Sequence, residues 1–197
     1  MKHLFLIVVL FSIVSCSKPG SINGNVFWKY NDYVGNKPDS GATITIYSLD
    51  ENPKDSVYTT TTDINGNYKI ENIAPGEYFF VANSKNTKSS PINHLENLKK
   101  HSGEIKKLFN FNIESYTLDN LKNLILLNSL NVGDPEHVQT EKELNDKIAE
   151  IIQSFPNHLK SKVGLDTGFD NSITFKKIKV IKDRANVENI DFGTSYY

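Results

Sequence analysis

The stretch TTTTDINGNYKIENIAPGEYFF, residues 59–80, decides the fold of this chain. Two groups of turn-forming residues, DINGN and APG, separate three runs rich in threonine, isoleucine and aromatic residues. Such runs between closely spaced turns are typical of antiparallel strands. Gly66 can adopt the positive φ of a tight turn, and Pro75 followed by Gly76 fits a type II turn. The stretch therefore predicts three strands joined by two tight turns.

Four apolar side chains of this stretch fall at alternate positions: Tyr68, Ile70, Tyr78 and Phe80. Successive side chains of a strand point to opposite faces of the sheet, so this spacing places the pair on each strand on a single face. We expect these faces to line the core between adjacent strands.

The DINGN segment also resembles part of a calcium loop, because oxygen-bearing side chains alternate around a glycine. An EF-hand loop needs glycine at its sixth position and a bidentate glutamate at its twelfth. Counted from Asp63, the glycine is fourth and Ala74 is twelfth, so no carboxylate closes the coordination shell. The Asp63 carboxylate can instead accept hydrogen bonds from its own turn. We therefore expect structural turns at 63–66 and 75–76 and no metal site.

Similar strand-like runs and turns occur before and after this stretch. The residues between the first two runs, 31–41, are dense in Asn, Asp, Gly and Pro and predict a turn. Short, regularly spaced runs of this kind favour a mainly β, antiparallel sandwich. We expect seven strands, at residues 22–30, 42–49, 56–62, 67–72, 77–83, 172–181 and 187–193.

A helical spacing of apolar residues interrupts the strands between the fifth and the sixth, over about residues 85–171. The first helical run is expected to break at Gly103. Thr117 is a candidate N-cap for a second helix, and TEKE at 140–143 is a candidate capping box for a third, which Pro156 interrupts. The last two predict a helical hairpin. Their apolar faces must either pack on the sandwich and on each other or leave a groove for a partner.

The N-terminus has the pattern of an export signal. Lys2 precedes a nearly continuous apolar run at 4–13, and the sequence IVSC ends this region at Cys16. IVSC resembles the lipobox of bacterial lipoproteins, in which the cysteine is acylated and becomes the first mature residue. The alternative is an ordinary cleaved signal with a stray cysteine. Cys16 is the only cysteine, so the chain cannot form an intramolecular disulfide.

The lipobox interpretation implies a lipoprotein signal peptide at 1–15 and a short lipid-anchored tether at 16–21. It implies a membrane partner through a palmitate-type anchor on Cys16 and a location in the bacterial cell envelope. Ser17 after the cysteine is compatible with the outer membrane.

Four motifs in the strands resemble those of carboxypeptidase regulatory-like domains, which are transthyretin-like β-sandwiches also grouped with carbohydrate-binding-like and collagen-adhesin B-type modules. The motifs are GNV at 24–26, GATITI at 41–46, TDINGNY at 62–68 and PGEY at 75–78. The resemblance is good over residues 22–84 and loose over 172–193. It implies one transthyretin-like sandwich at 22–193, interrupted by the insertion at about 85–171. The signature residues of that family are structural, so the resemblance supplies no catalytic set.

The composition and the missing motifs exclude several classes of protein. The formal net charge is −1 and Arg184 is the only arginine, which argues against binding of nucleic acid. The sequence contains no P-loop, GxGxxG, GxSxG or HExxH motif. We expect no cofactor and no catalytic residues.

The aromatic residues Trp28, Tyr30 and Tyr33 lie in or just after the first strand. Exposed, they could form a stacking platform for a sugar or a protein; otherwise they pack in or at the edge of the sandwich. The expected function is a non-enzymatic envelope module that binds or scaffolds a glycan or an envelope protein. An accessory subunit of an outer-membrane uptake or surface-assembly complex is the alternative, and a hydrolase is a third hypothesis.

Overall fold

The computed structural model describes residues 18–50, 57–116, 130–165 and 171–194. These residues form nine strands: β1 (Gly20–Asn31), β2 (Gly35–Pro38), β3 (Thr43–Ser48), β4 (Val57–Thr61), β5 (Asn67–Ile73), β6 (Gly76–Lys88), β7 (Asn171–Val180), β8 (Ala185–Val187) and β9 (Ile190–Thr194). The helices between β6 and β7 are α1 (Pro91–Lys100), α2 (Ser102–Phe109), a 3₁₀ turn (Ile113–Ser115), α3 (Pro135–Gln153) and α4 (Asn157–Val163).

The strands form a sandwich of two sheets. The first is built around β1, whose N-terminal half pairs with β5 and β8 and whose C-terminal half pairs with β2 and β9. The second has the order β4-β3-β6-β7 and is antiparallel throughout. The expected mainly β sandwich with a helical insertion is confirmed. It has nine strands rather than seven, and β8 and β9 run parallel to β1.

The two strands that the sequence did not predict, β2 and β8, are short. β2 has the sequence GNKP, which has low strand propensity and was expected to be part of a turn. It is held in register by β1, with Trp28 opposite Lys37. The turn between the two strands is closed by the Asn31 side chain, which accepts hydrogen bonds from two backbone N–H groups. Pairing with a neighbouring strand therefore overrides local propensity here.

One core lies between the two sheets. The side chains from both inner faces form a single buried cluster, which includes the expected core residues Tyr68, Ile70, Tyr78 and Phe80. β1 contributes Ile22 and Val26 at alternate sites to the same cluster, so the period of two predicts the inner faces correctly.

A second core lies between the outer face of the β3-β6-β7 sheet and the helices. Phe79 and Val81 of β6 point to this side, together with Tyr47 and Phe175 from the flanking strands. The helices cover them with a buried apolar set: Leu95, Leu98, Ile105, Ile113, Leu144, Ile148, Ile152, Phe155, Leu159 and Val163. The apolar faces of the described helices therefore pack on the sandwich and do not leave a groove for a partner at this position.

The helix boundaries differ from expectation at two places. α3 begins at Pro135 after Asp134, and Thr140 of the expected capping box is a buried residue inside the helix. Proline at the first helical position has the φ that a helix needs, so the chain enters the helix one turn earlier. The first helical run breaks at His101, and Gly103 lies within α2. The helix expected after Thr117 lies outside the described residues, and so does one half of the expected hairpin.

His101, at the break between α1 and α2, contacts the sandwich directly. Its ring lies 5.7 Å from the rings of both Phe79 and Phe175, measured between centroids. Desolvation by these neighbours lowers the pKa of His101 from its usual value of 6.5, although the nearby Glu104 carboxylate acts in the opposite direction. The folded protein therefore binds a proton at this site less readily than the unfolded chain does.

This shift predicts a pH dependence of stability. The stabilisation linked to neutral His101 is present above pH 6.5 and is lost as the pH falls from 6.5 through the lowered pKa of the folded state. Thermal unfolding of the parent and of His101→Phe at pH 7.5 and pH 5.0 should show a larger loss of Tm on acidification in the parent. The other titrating groups are the same in both proteins, so their contributions to the change in Tm cancel when the two are compared. Equal losses in the two proteins would contradict the assignment.

Candidate functional site

Asp63 lies in the turn between β4 and β5 and bonds within that turn. Its Oδ1 accepts hydrogen bonds from the backbone N–H groups of Asn65 and Asn67, both at 2.8 Å. The bond from Asn67 is the first cause of a lowered Asp63 pKa, with that from Asn65 acting in the same direction. Asn25 of β1 donates from its side chain to the Asn65 carbonyl at 2.9 Å. This arrangement ties the turn to the neighbouring strand.

The glycines of the two predicted turns act differently. Gly66 has φ of 76°, and a Cβ at this position would lie 2.3 Å from the Val26 carbonyl oxygen, so glycine is required. Gly76, after Pro75, is the first residue of β6 and does not have positive φ, so the expected type II turn is not formed. A Cβ there would lie 2.4 Å from the Asp50 carboxylate, which is the end of an exposed side chain that can move away.

The three candidate aromatic residues differ in exposure. Trp28 is buried, with 6% of its surface exposed, whereas Tyr30 is 43% and Tyr33 is 98% exposed. Trp28 and Tyr30 contact each other edge to face at 5.8 Å, and the Lys37 ammonium lies 4.1 Å from the centre of the Tyr30 ring. The open face of Tyr30 is thus occupied by a cation from β2. Tyr33 stands apart at the tip of the hairpin, so the three do not form one platform.

A buried carboxylate that the sequence analysis did not identify closes the sandwich near this hairpin. Asp39 is completely buried between β2 and β3. Its carboxylate accepts hydrogen bonds from the Ser84 hydroxyl at 2.5 Å and the Asn86 side-chain amide at 2.6 Å. Its backbone carbonyl accepts from the Thr62 hydroxyl. The network joins the chain segments that cross between the two sheets.

Next to this network, a polar cleft lies between the outer face of the second sheet and the end of α4. Its volume is about 370 Å³, which is within the range of small-molecule sites in proteins, about 300–1,000 Å³. Every described lining residue except Gly164 carries a hydroxyl, amide or ammonium group: Thr43, Thr45, Tyr47, Asn83, Ser84, Lys85, Ser161, Lys162 and Asn171.

The strand side of the cleft is a row of side chains on adjacent strands. Thr43 of β3 lies opposite Asn83 of β6 in the antiparallel pairing, and both are partly exposed. The Asn83 side-chain oxygen is buried and has no hydrogen-bond partner among the described residues. A buried acceptor that is left unpaired costs free energy.

The helix side of the cleft is fixed by contacts with the strands. The Tyr47 hydroxyl donates to the Lys162 carbonyl at 2.8 Å, and burial raises the pKa of Tyr47 to about 12, so this hydroxyl stays protonated. Gly164 ends α4 with φ of 78°, and a Cβ there would lie 2.0 Å from the Asn83 amide nitrogen. Only glycine lets the helix end come this close to β6.

The sequence carried a weak signal for part of this cleft. The alternation of Thr and Ile in residues 42–49 predicts a strand with one polar face, and Thr43 and Thr45 lie on that face. Nothing in the sequence indicates that Ser161 and Lys162 meet it, because the packing of α4 on the sheet depends on the whole helical layer.

Neither a metal centre nor a membrane-spanning helix is visible in the described ranges. Within residues 18–50, 57–116, 130–165 and 171–194, no three His, Cys, Asp or Glu side chains are close enough to hold a metal ion. The helices of these same ranges are too short or too polar to cross a membrane.

Comparison with known proteins adds to the description of the fold. A family model described as BOS complex subunit NOMO1-like, second beta sandwich domain, matches residues 21–110. No curated protein matches the sequence. A solved structure from Pseudomonas aeruginosa, of a protein proposed to bind carbohydrate, aligns over 92% of this chain and 93% of its own, with 9% identity and a TM-score of 0.38. The minor pilin of Streptococcus agalactiae aligns over 91% of this chain and 46% of its own, with 9% identity and a TM-score of 0.37.

The class of protein that the fold defines is therefore a β-sandwich of two sheets carrying a helical layer on one outer face. The family match covers both sheets up to β6 and the first two helices of the insertion. Residues of β7, α3 and α4 lie beyond it.

The geometry of Asp63 predicts that Asp63→Ala lowers Tm by the same amount in the presence of calcium and of EDTA, because the lost bonds are made to the turn backbone. The decrease should be smaller than that of Asp39→Ala, since Asp39 is buried and its partners would lose a bonded acceptor. Differential scanning fluorimetry measures both. A calcium-dependent Tm of the parent that disappears in Asp63→Ala would restore the metal interpretation.

Proposed function

We propose that this chain is a non-enzymatic binding module of the bacterial cell envelope and that it binds a glycan in the cleft between the second sheet and α4. The observation that carries this proposal is the lining of the cleft by hydroxyl and amide groups on both its strand side and its helix side.

A sugar suits such a lining because it offers hydroxyl groups that both donate and accept hydrogen bonds. Thr43, Ser161 and Asn171 can each provide a complementary group. The described lining residues include no carboxylate, histidine or cysteine, which are the usual acids, bases and nucleophiles of hydrolases. This composition supports binding without catalysis.

The position of the cleft relative to the N-terminus also supports a binding role in an envelope lipoprotein. β1 begins at Gly20, which lies against Val180 at the end of β7. Val180 pairs with Gly76 at the start of β6, and Asn83 lies seven residues further along β6. At a rise of about 3.3 Å per residue, the cleft is roughly 20 Å from that end. A lipid anchor on Cys16 would thus leave the cleft facing away from the membrane.

An envelope protein is the other class of partner to be considered, and the hairpin of β1 and β2 is the surface that favours it. Tyr33 and Val34 are exposed at its tip. Exposed aromatic side chains are common in protein interfaces. The helical insertion is a less suitable docking surface for a protein, since the apolar faces of its described helices are covered by the sheet.

The glycan proposal predicts that Thr43→Val with Ser161→Ala weakens binding at least tenfold, because two hydrogen bonds of about 1 kcal/mol each are lost. The purified protein is screened on an array of bacterial and host glycans, and the affinity for the best ligand is measured by calorimetry. Tyr33→Ala is the matched control outside the cleft and should bind normally. Loss of binding in the control alone would move the site to the hairpin, and absence of any glycan ligand would contradict the proposal.

The lipid anchor has its own test. Expressed in a bacterium with radiolabelled palmitate, the parent should be labelled and should sediment with membranes, whereas Cys16→Ala should lose the label and become extractable without detergent. Membrane retention and labelling that are unchanged in Cys16→Ala would show that the anchor is elsewhere.

A further inference from the structure

The two charged side chains among the described lining residues of the cleft are both positive. Lys85 enters the lining from β6 and Lys162 enters it from α4, and both side chains are exposed. Neither forms an ion pair with a carboxylate of the described residues. Among the residues that the structure describes, the lining contains no Asp or Glu to balance them. The ammonium groups of Lys85 and Lys162 therefore lie on opposite sides of the same cleft.

The buried carboxylate of Asp39 lies close to the cleft but does not cancel this charge by contact. Asp39 lies below Ser84 and Lys85, but its oxygens are buried and bonded to the Ser84 hydroxyl, the Asn86 amide and, at 3.4 Å, the Lys85 backbone N–H. It is not among the residues that line the cleft. Its position instead fixes the backbone from which Lys85 extends.

The end of α4 does not oppose an anion either. The last carbonyls of a helix carry partial negative charge when they are free. Here the Lys162 carbonyl accepts from the Tyr47 hydroxyl, and the Lys160 and Ser161 carbonyls accept from the backbone N–H groups that follow the helix. The Lys162 ammonium lies 5.8 Å from the centre of the Tyr47 ring, which holds it at this wall.

From these three observations we infer that the cleft selects an acidic sugar, in which a carboxylate, sulfate or phosphate group is held by Lys85 and Lys162 while the sugar hydroxyls are bound by Thr43, Asn83 and Ser161. The inference rests on the proposed function and adds the chemical class of its ligand. The lysines supply charge and the neutral side chains supply orientation.

The test compares two ligands that differ only in charge: a tetrasaccharide containing glucuronic acid, and the same tetrasaccharide after reduction of its carboxyl groups to alcohols. Calorimetry on the purified protein should show at least tenfold tighter binding of the acidic form. The double substitution Lys85→Gln with Lys162→Gln should remove this preference and leave the affinity for the reduced form within about twofold. Added NaCl should weaken the binding of the acidic tetrasaccharide and leave that of the reduced one unchanged, because salt screens only the interaction between charges.

Lys142→Gln with Lys182→Gln makes the same change of net charge outside the cleft and should keep the preference. Equal binding of the two tetrasaccharides, or a preference that survives in the cleft double variant, would overturn the inference and leave the glycan proposal standing. Tighter binding of a sulfated or phosphorylated tetrasaccharide than of the carboxylated one would support the inference, with that oxyanion as the preferred group. If no sugar of any kind binds, both the inference and the proposed function are wrong.

Discussion

Burial of β6 on both faces is the constraint on which the rest of the structure depends. Tyr78 and Phe80 fill the core between the sheets, and Phe79 and Val81 fill the core under the helices. A slip of one residue in the pairing of β6 would exchange these two sets, so both cores fix the same register. The helical insertion is therefore required by the sandwich, because without it the outer face of the sheet would expose large apolar side chains to water.

The cleft lies where β6 is no longer buried on both faces. Along the outer face of β6 the apolar positions 79 and 81 are followed by Asn83, and on β3 the buried Tyr47 is preceded by Thr45 and Thr43. The helical layer ends in α4 at the same level, with Gly164 against Asn83. Polar side chains thus begin where the helices stop covering the sheet, and the Asp39 network closes the inner core directly beneath them.

Much of this fold could be predicted from the sequence because its signals are local. The period of two in the strands gives the inner faces, and turn residues give most of the strand boundaries. The continuous apolar run YFFVA at 78–82 reflects burial on both faces. The sequence could not show β2 or β8, whose pairing comes from β1. The start of α3 was missed although Asp134 followed by Pro135 is a local start signal, because TEKE at 140–143 offered a competing one. The conformation of Gly76 was also mispredicted, since Gly76 is the first residue of β6 and does not have positive φ.

The candidate site was harder to predict than the fold, because the residues that form it are far apart in the sequence. The sequence suggested an aromatic platform of Trp28, Tyr30 and Tyr33. In the structure Trp28 is buried, Lys37 lies over the Tyr30 ring, and Tyr33 is exposed at the tip of the hairpin. The cleft instead joins residues more than 75 positions apart, such as Asn83 and Lys162, that form no motif. Of its ten described lining residues, six lie on β3 and β6, three lie at the end of α4, and one, Asn171, begins β7. A change in the packing of α4 would therefore alter the ligand site while leaving every sandwich motif intact, so the motifs that reveal the fold carry little information about what the cleft binds.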